Sequence, residues 1–452
     1  MALKLCGNPE WELQVTVRFE PHEYATTLNA LGDYAVDGGL IYTWTGSHWS
    51  VMDDDVACKQ AYRWLATSKP CHTTAENAKK AVNCAKLWLP ELVKESADIV
   101  IPCSNGYVQL KEGTLTLIPS NKSFGLKHSL ICEFQPDFGP ATQFEKFLTT
   151  VLPDPAVRSR VQEYIGYTLM SDARYQKAQL WLGSGANGKG VLANIIQKLH
   201  GNTAAIGLDA LDGFSLSVLI GASLIYVDEI PKARINEQIL KSLIAGEKVQ
   251  IDRKYETPLS IHVRGKWLVL GNHLPAITDH SIGFWRRWDI VPFSVTVREN
   301  DRDPLLAENI IRTEMPGVLN WALEGLLRLQ KRGAFEPLLP LAMQSILSDA
   351  KRETNSVQSW FEESDIVTSE LPQASKDGIY EHYREWCARN GMVSMASPRF
   401  WQTVRGIVPF DEVRRREKGQ QVRYCNLCVP GDIRRANLSP VEVSHNSNAR
   451  VR

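Results

Sequence analysis

The run Gly183-Ser184-Gly185-Ala186-Asn187-Gly188-Lys189-Gly190 constrains this chain more than any other stretch. Before it stands Gln179-Leu180-Trp181-Leu182, apolar enough for a short buried strand. After it come Val191, Leu192, Ile195, Ile196 and Leu199 at helical spacing. A strand, a glycine-rich loop and a helix in that order turn backbone N–H groups and a helix N-terminus toward a polyphosphate. Lys189 would reach the β- and γ-phosphates. The usual pattern then asks for Ser or Thr, whose hydroxyl holds Mg²⁺, and Gly190 supplies no oxygen.

Other parts of a nucleotide site follow in order. Ala222 to Val227 is an apolar run ending in Asp228-Glu229, where Asp228 would serve Mg²⁺ and Glu229 the attacking water. By itself such a pair also fits two charges at a strand end. Lys266 to Leu270 is a third apolar strand, ending at Gly271-Asn272, whose amide can bond a γ-phosphate or serve only as a turn residue. Arg286 and Arg287, framed by Trp285 and Trp288, fit either surface cation–π packing or a charge offered to a transferring phosphoryl group. Order and spacing within about 110 residues make the set more specific than its members, and predict an α/β nucleotide-binding core.

The 452 residues suit two or three domains, and 51 basic residues balance 51 acidic ones. Net charge therefore announces no polyanionic partner. No apolar run approaches the roughly 20 residues that cross a bilayer, and the N-terminus lacks the apolar region of a signal peptide. Nine scattered cysteines fit a reducing compartment. Cys425 and Cys428 would need two further ligands to hold zinc and read instead as one strand.

The pattern divides into an α+β segment over 1–135, an ATPase core with flanking helices over 136–350, a small domain over 351–436 and a disordered tail over 437–452. In the small domain a helix from Ser375 to Asn390 turns Ile379, Tyr383, Trp386 and Cys387 inward, and a second from Ser397 turns Phe400, Trp401 and Val404 inward and Arg399, Gln402 and Arg405 outward. Arg414, Arg415, Arg416 and Lys418 then lie on a hairpin turning at Lys418-Gly419. Helix, helix and basic hairpin is a winged-helix layout suited to a DNA groove. From Arg384 to Arg435 there are 11 Lys or Arg against 5 Asp or Glu, the footprint of a phosphate-binding face or of a basic protein-docking face.

These stretches resemble the superfamily 3 helicases of the phage and plasmid primase–helicase group, related to poxvirus primase–helicases. The resemblance rests on GSGANGKG, SLIYVDEIP, GEKVQIDRKYETPL, WLVLGNHLP and GFWRRWDIVPF, with weaker likeness around Ile101 and Val161. It implies an AAA+-like ring, usually a hexamer, that uses ATP and Mg²⁺ to move 3′-to-5′ along single-stranded DNA. It also implies work beside replication proteins of a phage, plasmid or integrated element in a bacterial cytoplasm. Asn272 would be the sensor and Arg287 the finger reaching a neighbouring subunit, with Arg286 as its substitute. Arg253, Lys254 and Tyr255, at the tip of a hairpin, would contact DNA in the ring channel; a solvated surface hairpin is the plainer alternative. Two departures stand out: Gly190 replaces the usual hydroxyl residue, and the first 135 residues are too short for a primase. The competing function is a nucleotide-gated origin-binding scaffold with little turnover, and a third is an RNA-directed motor.

Overall fold

The computed structural model describes residues 19–429 apart from 232–234, 254–255, 276, 278–281, 355, 391, 393 and 418. Lys254, Tyr255, Lys418 and the expected tail 437–452 lie outside the described residues. Two compact units emerge. The first holds residues up to 231, 238–273 and 287–338, and the second holds 232–237, 274–286 and 339 onward.

The first unit begins with α1 (Pro21–Leu31), then strands β1 (Tyr34–Asp37), β2 (Leu40–Trp44) and β3 (Trp49–Val51), then α2 (Asp54–Ser68) and α3 (Ala75–Trp88). β2 and β3 are the hairpin that the alternation around Thr45-Gly46 predicts, with Trp44 paired to Trp49. Asp53 caps α2 and Thr74 caps α3 with side-chain oxygens. The alanines of these helices allow close packing: Ala57, Ala61, Ala78, Ala81 and Ala85 are buried with Tyr24, Leu28 and Leu65.

A second antiparallel sheet follows, β4 (Ile99–Cys103), β5 (Gly106–Lys111) and β6 (Thr114–Ile118). It turns at Gly106 and at Glu112-Gly113, the glycine positions in the sequence. Helices α4 (Thr142–Val151) and α5 (Pro155–Thr168) then lead into the central sheet. The start of α4 is capped at long range, since Glu314 accepts the N–H groups of Gln143 and Phe144 at 3.0 Å.

The central sheet has five parallel strands: β7 (Ala178–Leu182), β8 (Thr203–Ala205), β9 (Leu224–Val227), β12 (Lys266–Gly271) and β13 (Trp288–Pro292), in the spatial order β13-β7-β12-β9-β8. α6 (Lys189–Gln197) follows β7 and buries Leu192, Ile195 and Ile196. Between β9 and β12 lie α7 (Glu237–Ile244) and the antiparallel hairpin of β10 (Lys248–Arg253) and β11 (Glu256–His262). Short helix α8 (Ile282–Trp285) precedes β13. Near-continuous burial of β7 and β12 is what a parallel sheet covered on both faces requires.

α9 (Leu306–Thr313) and α10 (Met315–Arg332) close the unit. α10 packs on α5 with a glycine on each side of the crossing. A Cβ on Gly166 would stand 2.5 Å from the Ala322 carbonyl, and one on Gly325 would stand 2.4 Å from that of Gln162. On β13, buried Asp289 receives Arg160 at 2.6 Å and Lys177 at 3.0 Å. Burial alone would push the Asp289 carboxyl up, but the two cations outweigh it and hold it low.

The second unit contains α11 (Leu341–Thr354), α12 (Ser356–Glu363), the short strands β14 (Val367–Thr368) and β15 (Ala374–Ser375), α13 (Lys376–Arg389), α14 (Ser397–Ile407), β16 (Glu412–Glu417), β17 (Gln420–Cys425) and β18 (Leu427–Cys428). Its core joins Trp360, Tyr383, Phe400, Trp401, Val404, Cys425 and Leu427. The two helices and basic hairpin expected there are present, with β15, β17 and β16 in one antiparallel sheet. Cys425 and Cys428 stand on separate strands, because Asn426 breaks the run and accepts the Asp411 N–H at 2.8 Å.

Candidate nucleotide site

In an open parallel sheet, ligands bind beyond the carboxyl ends of the strands. β12 lies between β7 and β9, with Gly271 level with Leu182 and Val269 level with Val227. That register sets Asn272 beside the glycine-rich loop, with Asp228 and Glu229 leaving the next strand at the same edge. Three stretches far apart in sequence thus share one mouth.

The loop itself is tied down. The Gly183 N–H donates to the Gly271 carbonyl at 3.1 Å, Asn187 Nδ2 to the Phe293 carbonyl at 3.1 Å, and the Val297 N–H to the Ala186 carbonyl at 2.8 Å. A Cβ on Gly183 would meet Asn187 Nδ2 at 2.2 Å, so that position must be glycine. Gly185, Ala186 and Gly188 have positive φ angles of 109°, 49° and 80°, which turns the chain tightly enough to expose successive N–H groups. Ser184, Ala186 and Gly190 are exposed while Asn187 is buried.

Lys189 is the first residue of α6, with only 6% of its surface exposed. Burial lowers its ammonium pKa, which raises the value of an anionic partner. Its Nζ donates to the Gly183 carbonyl and, at 3.3 Å, to Asn272 Oδ1. Asp228, Glu229 and Asn272 are exposed at the mouth. Tyr226 donates its phenol O–H to Asp228 Oδ1 at 2.6 Å. Nothing lies within 4 Å of a Cβ on Gly190.

Among the described residues no group of three or more His, Cys, Asp or Glu could cage a metal. Mg²⁺ asks for less, one or two carboxylates completed by substrate phosphates and water. The oxygens of Asp228 and Glu229 beside a phosphate-shaped loop fit that ion.

The paired arginines differ sharply. Arg287 is buried, and its carbonyl accepts the Ala178 N–H at 2.8 Å. Arg286 is exposed and belongs to the stretch 274–286 of the second unit.

The hairpin residue Arg253 does not stand free. Its Nη1 donates to Asp54 Oδ2 at 2.9 Å, and Lys86 meets the other oxygen of Asp54 at 2.7 Å. Leu259 of β11 joins the core of Ala35, Leu40, Tyr42 and Trp49, so the hairpin packs against the N-terminal sheet.

In the second unit Arg399, Gln402, Arg405, Arg414, Arg415 and Arg416 are all exposed. Arg405 pairs with Glu412 and covers the Phe410 ring at 4.9 Å. Arg415 lies over Tyr424 at 5.0 Å and donates to the Pro372 carbonyl at 2.9 Å. Arg414 faces Arg423 directly across the strands, a like-charge pair that a polyanion would relieve.

With this geometry in view, one sequence relative is informative. An alignment 159 residues long, covering 32% of this chain, is 26% identical to the putative helicase L207/L206 of Acanthamoeba polyphaga mimivirus. The chain resembles a viral helicase. It spans only 16% of that protein's length. Residues 181–287, which run from β7 to Arg287, match a family described as one of unknown function, DUF5906. The fold has a counterpart in the C-terminal region of NrS-1, with a TM-score of 0.52 and 13% identity over 90% of this chain and all of that one. A second structure of that region gives 0.50 at 12% identity. At such identity the likeness shows the α/β fold alone.

Sequence reasoning missed Tyr226, Asp54 and Arg423. Tyr226 was detectable, since strand residues two apart share a face. Asp54 was not, because nothing in the sequence links it to position 253.

Proposed function

We propose that this chain is an ATP-driven helicase that moves along single-stranded DNA during replication of a viral or mobile element. The observation that carries the reading is the meeting of Lys189 with Asn272 at the strand edge that also bears Asp228 and Glu229. In this reading the loop N–H groups and Lys189 bind the β- and γ-phosphates, and Glu229 takes a proton from the attacking water. The water oxygen bonds to the γ-phosphorus as the β–γ bridging bond breaks, and ADP leaves with that electron pair. Asn272 orients the water and the γ-phosphate. Mg²⁺, held through Asp228, neutralises phosphate charge when bound.

Subunits of a ring would share the site, each lending an arginine to its neighbour. Exposure favours Arg286 for that role, since a buried Arg287 would have to leave its packing to reach another subunit. Arg253, Lys254 and Tyr255 would meet single-stranded DNA. The winged-helix-like unit would meet duplex DNA through Arg399, Gln402, Arg414, Arg416 and Lys418. Exposed Glu229 beside the loop supports turnover over a non-hydrolysing scaffold, because a nucleotide-gated switch needs no water-activating carboxylate.

Strand displacement with ATP, on duplexes bearing a 3′ or a 5′ tail, tests the proposal. Unwinding that starts from a 3′ tail and is lost in Lys189→Ala supports it. An assembled protein that binds single-stranded DNA yet neither hydrolyses ATP nor displaces a strand would sink it.

A further inference from the structure

Tyr226 and Asp228 stand two apart on β9 and its exit, hence on one face of the sheet. Their hydrogen bond, 2.6 Å from phenol oxygen to Oδ1, has the length of a charge-assisted bond from a hydroxyl to a carboxylate. The phenol is half-buried against the strand, and its O–H is directed at the carboxylate. Asp228 is exposed at the strand tip, where an unrestrained carboxylate samples several rotamers. A donor fixed by the strand removes that freedom and leaves the other carboxylate oxygen to accept from elsewhere.

The need for such a restraint follows from position 190. In phosphate-binding loops of this kind a Ser or Thr hydroxyl holds Mg²⁺ directly, and the strand-end Asp helps from across the site. Gly190 has no hydroxyl, so Asp228 bears more of the ion's orientation through bound water. Groups that hydrogen-bond a metal-holding carboxylate commonly govern metal affinity by 10- to 100-fold, roughly, when removed.

Resting on the nucleotide-site reading above, we infer that Tyr226 is the positioning residue for the Mg²⁺ water shell, acting through Asp228 in place of the hydroxyl missing at Gly190. Nothing within 4 Å of a Cβ at 190 blocks a serine there, so the substitution that restores the hydroxyl is available as a test.

The experiment measures Mn²⁺ binding with ADP by electron paramagnetic resonance in the 452-residue chain. The proteins are the wild type, Tyr226→Phe, Asp228→Asn, Gly190→Ser and the double variant Gly190→Ser/Tyr226→Phe. Phe keeps the ring and its packing. Tyr226→Phe is expected to weaken Mn²⁺ about tenfold, with ADP affinity in the absence of metal and the thermal midpoint unchanged. Adding Gly190→Ser should recover most of that loss, which a merely structural tyrosine would not allow. Mn²⁺ affinity within twofold of wild type in Tyr226→Phe, alongside a clear loss in Asp228→Asn, overturns the inference and leaves the nucleotide site standing. A loss of metal-free ADP affinity in Tyr226→Phe also overturns it, since the tyrosine would then act through packing. Wild-type protein that binds no Mn²⁺ with ADP overturns the site reading itself.

Discussion

Lys189 and Asn272, 83 positions apart in sequence, meet at 3.3 Å because β12 is inserted between β7 and β9. Most of the Lys189 side chain is buried, and among the described residues its ammonium donates to two neutral oxygens, those of Gly183 and Asn272. A polyphosphate entering the loop would take over that role and release Asn272 toward the γ-phosphate. Lys189→Ala should abolish nucleotide binding and turnover. Asn272→Ala should keep nucleotide affinity within a few-fold and lower kcat by roughly 100-fold, the scale on which one oriented donor acts. ATPase assays paired with fluorescent-nucleotide titrations check both, and an unaltered kcat in Asn272→Ala would remove it from the site.

The two arginines should separate by experiment. Arg286→Ala is expected to fold normally and to lower kcat by about 10³-fold or more, the range for an arginine that stabilises phosphoryl transfer. Mixed with wild-type subunits, it should depress activity more than in proportion. Arg287→Ala should instead lower the thermal midpoint, because it empties a buried position. Proportional loss on mixing Arg286→Ala would mean that each subunit's site is complete by itself.

Neighbouring glycines of the loop should tolerate change very differently. Gly190→Ser meets open space and should keep or raise ATP turnover. Gly188→Ala combines a φ of 80° with a Cβ 2.5 Å from Val151 Cγ1, which must shift. The left-handed backbone alone costs about 1–2 kcal/mol. Urea unfolding of both variants checks the contrast, and equal stabilities would contradict the loop geometry.

Asp54 neutralises Arg253, one of the residues proposed to meet DNA. Asp54→Asn should take one carboxylate from that cation, tighten single-stranded DNA binding and steepen its salt dependence by roughly one counterion. Arg253→Ala should do the reverse. Fluorescence anisotropy across a salt series reads both slopes, and an Asp54→Asn slope equal to wild type would place Arg253 away from the nucleic acid.

Stability should fall on acidification. His128 and His200, joined to the Leu169 carbonyl and to Thr168 and Ser223, are buried. Burial first, then nearby Lys266, lowers His128 to about 4, and burial with His128 and Lys266 lowers His200 to about 3. Burial also lowers Lys266 to about 7. These bases stay neutral in the folded chain at pH values where the unfolded chain binds protons, so stability rises with pH. The histidines act between their folded values and about 6.5, and Lys266 acts between about 7 and 10.4. At pH 5 each histidine withdraws on the order of 2 kcal/mol relative to neutral pH. Thermal midpoints at pH 5, 6, 7 and 8 test this, and a flat profile would show that both imidazoles reach solvent.

The strand–loop–helix around Lys189, the hairpin at Thr45-Gly46, the turns at Gly106 and Gly113 and the inward faces of α13 and α14 were all legible in the sequence. Each depends on local rules: side-chain periodicity, capping and the φ angles open to glycine. The positions of Asp228, Glu229 and Asn272 were legible for the same reason, since each stands just past the end of an apolar strand. What only the tertiary structure decided was which of them meet and which are covered. Parallel pairing inserts β12 between β7 and β9, and no local preference encodes that order. Burial sets Arg287 apart from Arg286 although the two are adjacent and chemically identical, because the strand that begins at Trp288 takes one inside and leaves the other outside. The partner of Arg253 was hidden in the same way, since an ion pair between positions 54 and 253 depends on a distance that chain folding alone creates.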